Sequence, residues 1–223
     1  MRPARQLVGE SGTPVLTLDD AGPEPAQIAA MAASLAPYPP ATNNYPGLRR
    51  VLSEADGEAW HYVLDLLGQA TPYIAGAFEL DGFDLIEASF SLVTRDPAQL
   101  TPVQRMPHFD SVDPNFYAVM QYVAPCAGTA FYRHRESGIE LVEEGTVDTY
   151  VAAARRAAAA APPRYICGET DAYALIGSVE GLPGRLVAYP GRLLHSGLIP
   201  ADMPGSGDPL LGRLTTNLFI QGR

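Results

Sequence analysis

Residues 184–197, Gly184-Arg185-Leu186-Val187-Ala188-Tyr189-Pro190-Gly191-Arg192-Leu193-Leu194-His195-Ser196-Gly197, read as two short strands meeting at a Pro-Gly turn, the second ending in a histidine. Outward from this stretch the same texture repeats. Upstream lie FDLIEASFSLVT (83–94), YAVMQYVA (117–124), GTAFYRHR (128–135) and DAYALIGSVE (171–180); downstream lies GRLTTNLFI (212–220). Each is a short β-prone run bounded by Gly, Pro or Asp turns. One helix interrupts the set, Thr146 to Ala161, ended by Pro162-Pro163. Its alanine run has high intrinsic helix propensity and asks for no functional reading. Many short strands broken by a single helix predict a double-sheet β architecture with helices packed outside.

The first 80 residues read differently. EPAQIAAMAASLA (24–36) has helix formers at helical spacing, and PYPPATNNYPGLRR (37–50) carries enough Pro and Gly to predict an irregular loop. Ser53 opens a second helix with Asp56 as its capping-box partner, and Trp60, Val63, Leu64 and Leu67 are its expected apolar face. A third helical segment is expected after Thr71-Pro72, with Pro72 in its first turn. The expectation is one domain over 1–223, with a helical elaboration and loops over about 1–80 and a β core over about 83–221.

Of the 223 residues, 47% are hydrophobic and 18% charged, which is enough apolar chain for a sizeable core. The formal net charge of -10 repels phosphate backbones and anionic lipid, so neither nucleic acid nor a membrane is the expected partner. No apolar run approaches the ~20 residues that span a bilayer. The N-terminal residues MRPARQLVGESGTP lack the apolar core of a signal peptide. Cys126 and Cys167 are far apart and read as two reduced thiols, so a cytoplasmic location is expected.

Three features carry chemistry. In Pro107-His108-Phe109-Asp110, strand geometry would send His108 and Asp110 to one face and Phe109 to the other, offering an imidazole and a carboxylate to a divalent metal. His195 supplies a third vertex. Two histidines and one carboxylate leave open positions, as non-haem Fe(II) requires when it must bind a chelating co-substrate and O₂. In Gly212-Arg213-Leu214-Thr215, Arg213 and Thr215 share a face, where a guanidinium fork and a hydroxyl can grip a carboxylate. Alone, each has an ordinary structural explanation: a chance HxD, a hydrogen-bonded core histidine, a surface arginine. Their order along one β-rich chain is what gives them meaning together.

That order, HxD, then a strand pair, then His, then Arg-x-Thr, resembles the Fe(II)/2-oxoglutarate-dependent dioxygenases, in detail their prolyl-hydroxylase-like branch. The polar turn Ser111-Val112-Asp113-Pro114-Asn115, the strand Tyr117 to Val123 and the Gly128-led strand add to the likeness, which covers residues 85–221. The resemblance implies a double-stranded β-helix (a cupin-like jelly roll) with Fe(II) held by His108, Asp110 and His195. It implies 2-oxoglutarate as co-substrate, held by Arg213 with help from Thr215. Because Asp110 is present no ligand position is free for a halide, so hydroxylation is implied, with a small molecule, an amino acid or a peptide side chain as substrate. Two departures stand out. The loop over residues 200–209 lengthens the interval from His195 to Arg213 and reads as a lid, and Ala127-Gly128 replaces the usual Gly-Gly pair. Two alternatives accompany the main expectation: a cupin-like metalloprotein acting without 2-oxoglutarate, and a non-catalytic binding module that keeps the fold. Tyr45 and Arg49, in a turn-rich loop, are possible pocket residues, as is Arg133 in the basic island Arg133-His134-Arg135, whose alternative reading is a solvated strand end.

Overall fold

The computed structural model describes residues 1–203 and 205–223, so Pro204 in the expected lid loop lies outside the described residues. A hairpin of β1 (Arg2–Val8) and β2 (Thr13–Asp19) opens the chain, followed by helix α1 (Pro25–Ser34), β3 (Gly47–Val51) and helix α2 (Glu58–Phe78). Next come β4 (Phe83–Val93), β5 (Phe116–Tyr122), β6 (Cys126–His134) and helix α3 (Val147–Ala160). The chain ends with β7 (Tyr173–Gly181), β8 (Leu186–Pro190), β9 (His195–Gly197) and β10 (Leu214–Gly222). They form two antiparallel sheets of a jelly roll, a seven-stranded one in the order β1-β2-β8-β5-β10-β4-β3 and a three-stranded one in the order β7-β6-β9.

Period-two alternation sorts the side chains of the large sheet. From β10, Leu214, Leu218 and Ile220 join Phe90, Val119, Leu186 and Ala188 beneath α1 and α2. Thr215, Asn217 and Phe219 point the other way, into the space between the sheets. At one end that space is filled by Val15, Tyr122, Phe131, Val187, Tyr189 and Leu193. At the other it stays open. Helix α3 closes the outer side of the small sheet, packing Tyr150 and Ala158 against Tyr132, Tyr173 and Leu194.

The seven expected strands are present, the His195 strand only as three residues. The first 80 residues depart from expectation, because β1, β2 and β3 make them part of the large sheet as well as a source of helices. The exposed β1 has no buried face to impose alternation, so its sequence carries no strand signal. In the Pro-rich stretch the prolines stop at Pro46, which leaves Gly47–Val51 free to pair with β4. Gly47 is required there, since a Cβ would lie 1.9 Å from the Leu92 carbonyl oxygen.

Ser53 and Asp56 do form a capping box, but around a 3-10 turn at Glu54–Asp56, and α2 starts only after Gly57. Pro72 ends nothing: α2 runs on to Phe78, and the Thr71 hydroxyl donates to the Leu67 carbonyl at 2.8 Å. An internal proline costs about 3 kcal/mol or more. Burial of Val63, Leu66, Leu67 and Ile74 at about 1.5–3 kcal/mol each outweighs it. The buried stripe is also rotated from the expected face, leaving Leu64 44% exposed.

The Ala127-Gly128 departure is explained by a bulge. The register of β6 against β7 shifts between Cys126 and Thr129, and Gly128 sits there at φ +101°, where a Cβ would lie 1.9 Å from the Val179 carbonyl oxygen. Only the second position needs glycine.

Candidate metal and co-substrate site

His108 and Asp110 lie on a short extended segment rather than a full strand. His108 exchanges two backbone hydrogen bonds with His195, each 2.9 Å, and the Asp110 N–H donates to the Gly191 carbonyl at 2.7 Å. This single bridge against the edge of β9 suffices to set the alternation. His108 and Asp110 line the cavity; Phe109, between them, also borders it and meets Tyr150 edge-on at 5.9 Å between ring centres. The ligand atoms of His108, Asp110 and His195 all lie within 4.8 Å of one another. Asp110 Oδ2 is 3.5 Å from His195 Nε2, and Asp110 Oδ1 is 3.9 Å from His108 Nε2. Ligand atoms about 2.1 Å from a common ion are separated by about 3–4 Å, so these gaps suit an ion between them.

The electrostatics favour a cation. His195 Nδ1 donates to the Leu193 carbonyl at 2.7 Å, which fixes the tautomer and leaves the Nε2 lone pair facing Asp110. Burial pushes the pKa of both histidines down to about 4, for His108 with the other imidazole adding to the effect, so both are neutral ligands at pH 7. Half of the His108 side chain is nonetheless accessible, because its free surface opens onto the cavity. Asp110 is pushed up by burial, against the pull of His108 and Arg49, and its Oδ2 is buried with no hydrogen-bond partner among the described residues. The donor set therefore fits a divalent metal ion of the kind that Asp110 and two neutral imidazoles bind.

Deeper in the same cavity lies Arg213, 6% exposed, whose Nε and Nη2 have no hydrogen-bond partner among the described residues. Leaving two nitrogens of a buried guanidinium without acceptors is costly unless something fills the place. Thr215 lines the cavity with it. The Tyr45 hydroxyl, also buried without a hydrogen-bond partner among the described residues, sits beside Thr215 and Arg213. Gly197 on β9 makes the room, since a Cβ there would lie 3.2 Å from Arg213 Nη2.

The remaining expected pocket residues divide. Tyr45 and Arg49 line the cavity, Tyr45 at its depth rather than its mouth. Arg49 pairs with Glu87 at 2.6 Å, its guanidinium 5.7 Å from the centre of the Phe219 ring. Arg133 is not among the cavity-lining residues. It pairs with Glu10 and lies 3.8 Å from Glu140, which also accepts backbone N–H groups of Glu10 and Ser11 and so pins the β1–β2 turn to the small sheet. Sequence reasoning missed Asn217, although it shares the Thr215 face two residues on, and it missed α3, whose Tyr150, Ala154, Arg155 and Ala158 form a wall of the cavity. The alanine run gave no signal of that wall, since propensity alone accounts for it.

The fold has parallels among solved structures. A prolyl-4-hydroxylase from Pseudomonas putida is 14% identical, with a TM-score of 0.50 and coverage of 96% of this chain and 95% of that one. HygX from Streptomyces hygroscopicus, solved with iron bound, is 11% identical, with a TM-score of 0.55 and coverage of 94% and 82%. The same protein with nickel and 2-oxoglutarate bound gives 10% identity, a TM-score of 0.54 and coverage of 94% and 83%. The fold is thus the jelly roll of the Fe(II)/2-oxoglutarate oxygenases. The chain itself belongs to the family of unknown function DUF6445, which it matches over residues 1–220. No curated protein matches it in sequence. Among the described residues no helix is long and apolar enough to cross a membrane.

Proposed function

We propose that this protein is an Fe(II)/2-oxoglutarate-dependent oxygenase that hydroxylates a small molecule, an amino acid or a peptide side chain. The observation that carries the reading is Arg213, whose buried Nε and Nη2 have no hydrogen-bond partner among the described residues, in the cavity that also holds the His108, Asp110 and His195 ligand atoms. A metal site alone would serve many chemistries. A metal site with a carboxylate grip in the same cavity fits a chelating keto-diacid.

Each residue then has a task. His108, Asp110 and His195 hold the iron, Asp110 adding the one negative charge and occupying the position a halide would need. Arg213 takes the distal carboxylate, with the Thr215 and Tyr45 hydroxyls as further donors. Leu193 keeps His195 in its binding tautomer through its carbonyl. The apolar walls at Met106, Tyr165 and Ile199 exclude water from the reacting carbon. Bound iron, with 2-oxoglutarate and O₂, supplies the oxidising power for inserting oxygen into a C–H bond.

The test is an anaerobic titration of metal-free protein with Fe(II) and then 2-oxoglutarate, following the visible metal-to-ligand charge-transfer band. A band in the wild type supports the reading. Bound metal without a band would overturn it in favour of a cupin-like metalloprotein that uses no 2-oxoglutarate.

A further inference from the structure

The protein carries a formal charge of -10, yet its cavity is lined by positive charge. Among the described lining residues the single acid is Asp110, which belongs to the metal set, whereas Arg49, Arg155 and Arg213 are all present. Two of these arginines are engaged. Arg213 lies deep, where the reading above assigns it to the co-substrate, and Arg49 is neutralised by Glu87 at 2.6 Å. Arg155 differs from both. It is exposed on α3, and among the described residues no carboxylate lies within ion-pairing distance of it, although its neighbour Arg156 is paired with Glu136 at 3.1 Å.

Helical spacing places Arg155 with Val151, Ala154, Ala158 and Ala159 on the face that α3 turns to the cavity. The wall beside it is otherwise mainly apolar, and Pro102, Val103 and Met106 continue that character on the segment leading to His108, with Gln104 the polar exception. The cavity measures about 970 Å³, at the top of the roughly 300–1,000 Å³ range that holds drug-sized ligands and far beyond what a five-carbon diacid fills. An unpaired cation at the mouth of a cleft with low-dielectric walls focuses its field on whatever enters.

We propose that the substrate of this cavity is a mainly apolar molecule bearing one anionic group, and that Arg155 receives that group. The inference rests on the oxygenase reading, since Arg213 must already be committed to 2-oxoglutarate. The apolar body lies along the alanine face of α3 and reaches from Arg155 toward the metal. Arg155 is here a specificity residue: it touches substrate and takes no part in holding iron or co-substrate.

The experiment is anaerobic calorimetry on protein loaded with Fe(II) and saturating 2-oxoglutarate, using 4-phenylbutyrate and 4-phenylbutan-1-ol as probes of one body with two heads. The expected result is about fivefold tighter binding of the acid at low salt, the upper end for a solvent-accessible ion pair. That preference shrinks as salt is raised. In Arg155→Gln the preference disappears while the charge-transfer band stays, because the exposed side chain can be replaced without disturbing the fold. With the band intact, equal binding of the two probes, no binding of the acid, or a preference that survives Arg155→Gln overturns the proposal. A wild type that shows no band fails at the oxygenase reading instead, and takes this proposal with it.

Discussion

On the helix side of β10 the Thr216 hydroxyl lies 2.9 Å from that of Tyr62, which donates to Gln121, whose amide in turn donates to the Ala21 carbonyl. On the cavity side, Arg213 Nε and Nη2, the Tyr45 hydroxyl and Asp110 Oδ2 are buried with no such partners among the described residues. Both sets are polar and both lie against the same sheet. Buried polar groups are ordinarily paired, because each orphan costs about 1–3 kcal/mol. The Thr216–Tyr62–Gln121 chain obeys that rule with the protein's own atoms. The cavity atoms obey it only when something else is bound, and so the contrast sets a polar chain that serves the fold beside polar groups that fit a ligand.

That contrast can be broken in several places. The largest effect is expected of His108→Ala, which removes a metal ligand. Loss of a group that merely orients a ligand already costs about 10–100-fold in metal affinity, so this variant should exceed 100-fold and lose the charge-transfer band. Next comes Arg213→Met. It should raise the 2-oxoglutarate concentration needed for half-maximal band by about 100-fold, near the top of the roughly 1.5–3 kcal/mol for hydrogen bonds to charged groups. Its ligand-free fold should be no less stable in urea than the wild type, since an unpaired buried charge is gone. Tyr62→Phe should behave in the opposite way, losing about 2 kcal/mol of stability as Gln121 is left without its donor, with no change in 2-oxoglutarate titration. If Tyr62→Phe weakened 2-oxoglutarate binding as much as Arg213→Met, the division between the two faces would not hold.

The smallest effect is expected from mild acid. Between pH 7.5 and 5 the imidazoles of His108 and His195 should remain neutral in the ligand-free protein, because their folded pKa is about 4. Nitrogen-detected NMR should show no titration of either ring in that window, and a midpoint near 6.5 would contradict the burial argument. The sign for stability follows. A histidine pKa lowered in the folded state contributes stability that is complete above about 6.5 and is lost as pH falls toward 4. Asp110, whose pKa is raised by burial, works in the opposite direction.

The β core was legible because half-buried strands betray themselves by alternation, and β4, β5, β6, β7, β8 and β10 fall within a few residues of the runs read from sequence. The candidate pairs His108/Asp110 and Arg213/Thr215 stand out because a two-residue spacing on extended chain gives a shared face, and His195 because it ends a strand after a Pro-Gly turn. What the sequence hid has physical causes. β1 is exposed along nearly all its length, so no pattern is imposed on it. Pro72 looked like a helix start because its local cost is visible in sequence and the packing of Ile74 and Ala77 that overrides it is not. Tyr45 reads from sequence as a possible pocket residue in a turn-rich loop, and only the tertiary path of that loop carries its hydroxyl down to Arg213. Arg155 was hidden inside an alanine-rich helix whose apolar face looked like ordinary propensity.

The division of labour between the sheets has a mechanical consequence. His108 and His195 belong to the edge of the small sheet, whereas Thr215, with Arg213 just before it, belongs to β10 in the large one. A diacid gripped by the metal at one end and by Arg213 at the other would act as a strut between the two layers at the end where no side chains fill the gap. The open half of the jelly roll would then breathe less when loaded than when empty, and the amide hydrogens of β9 and β10 would exchange with solvent more slowly together.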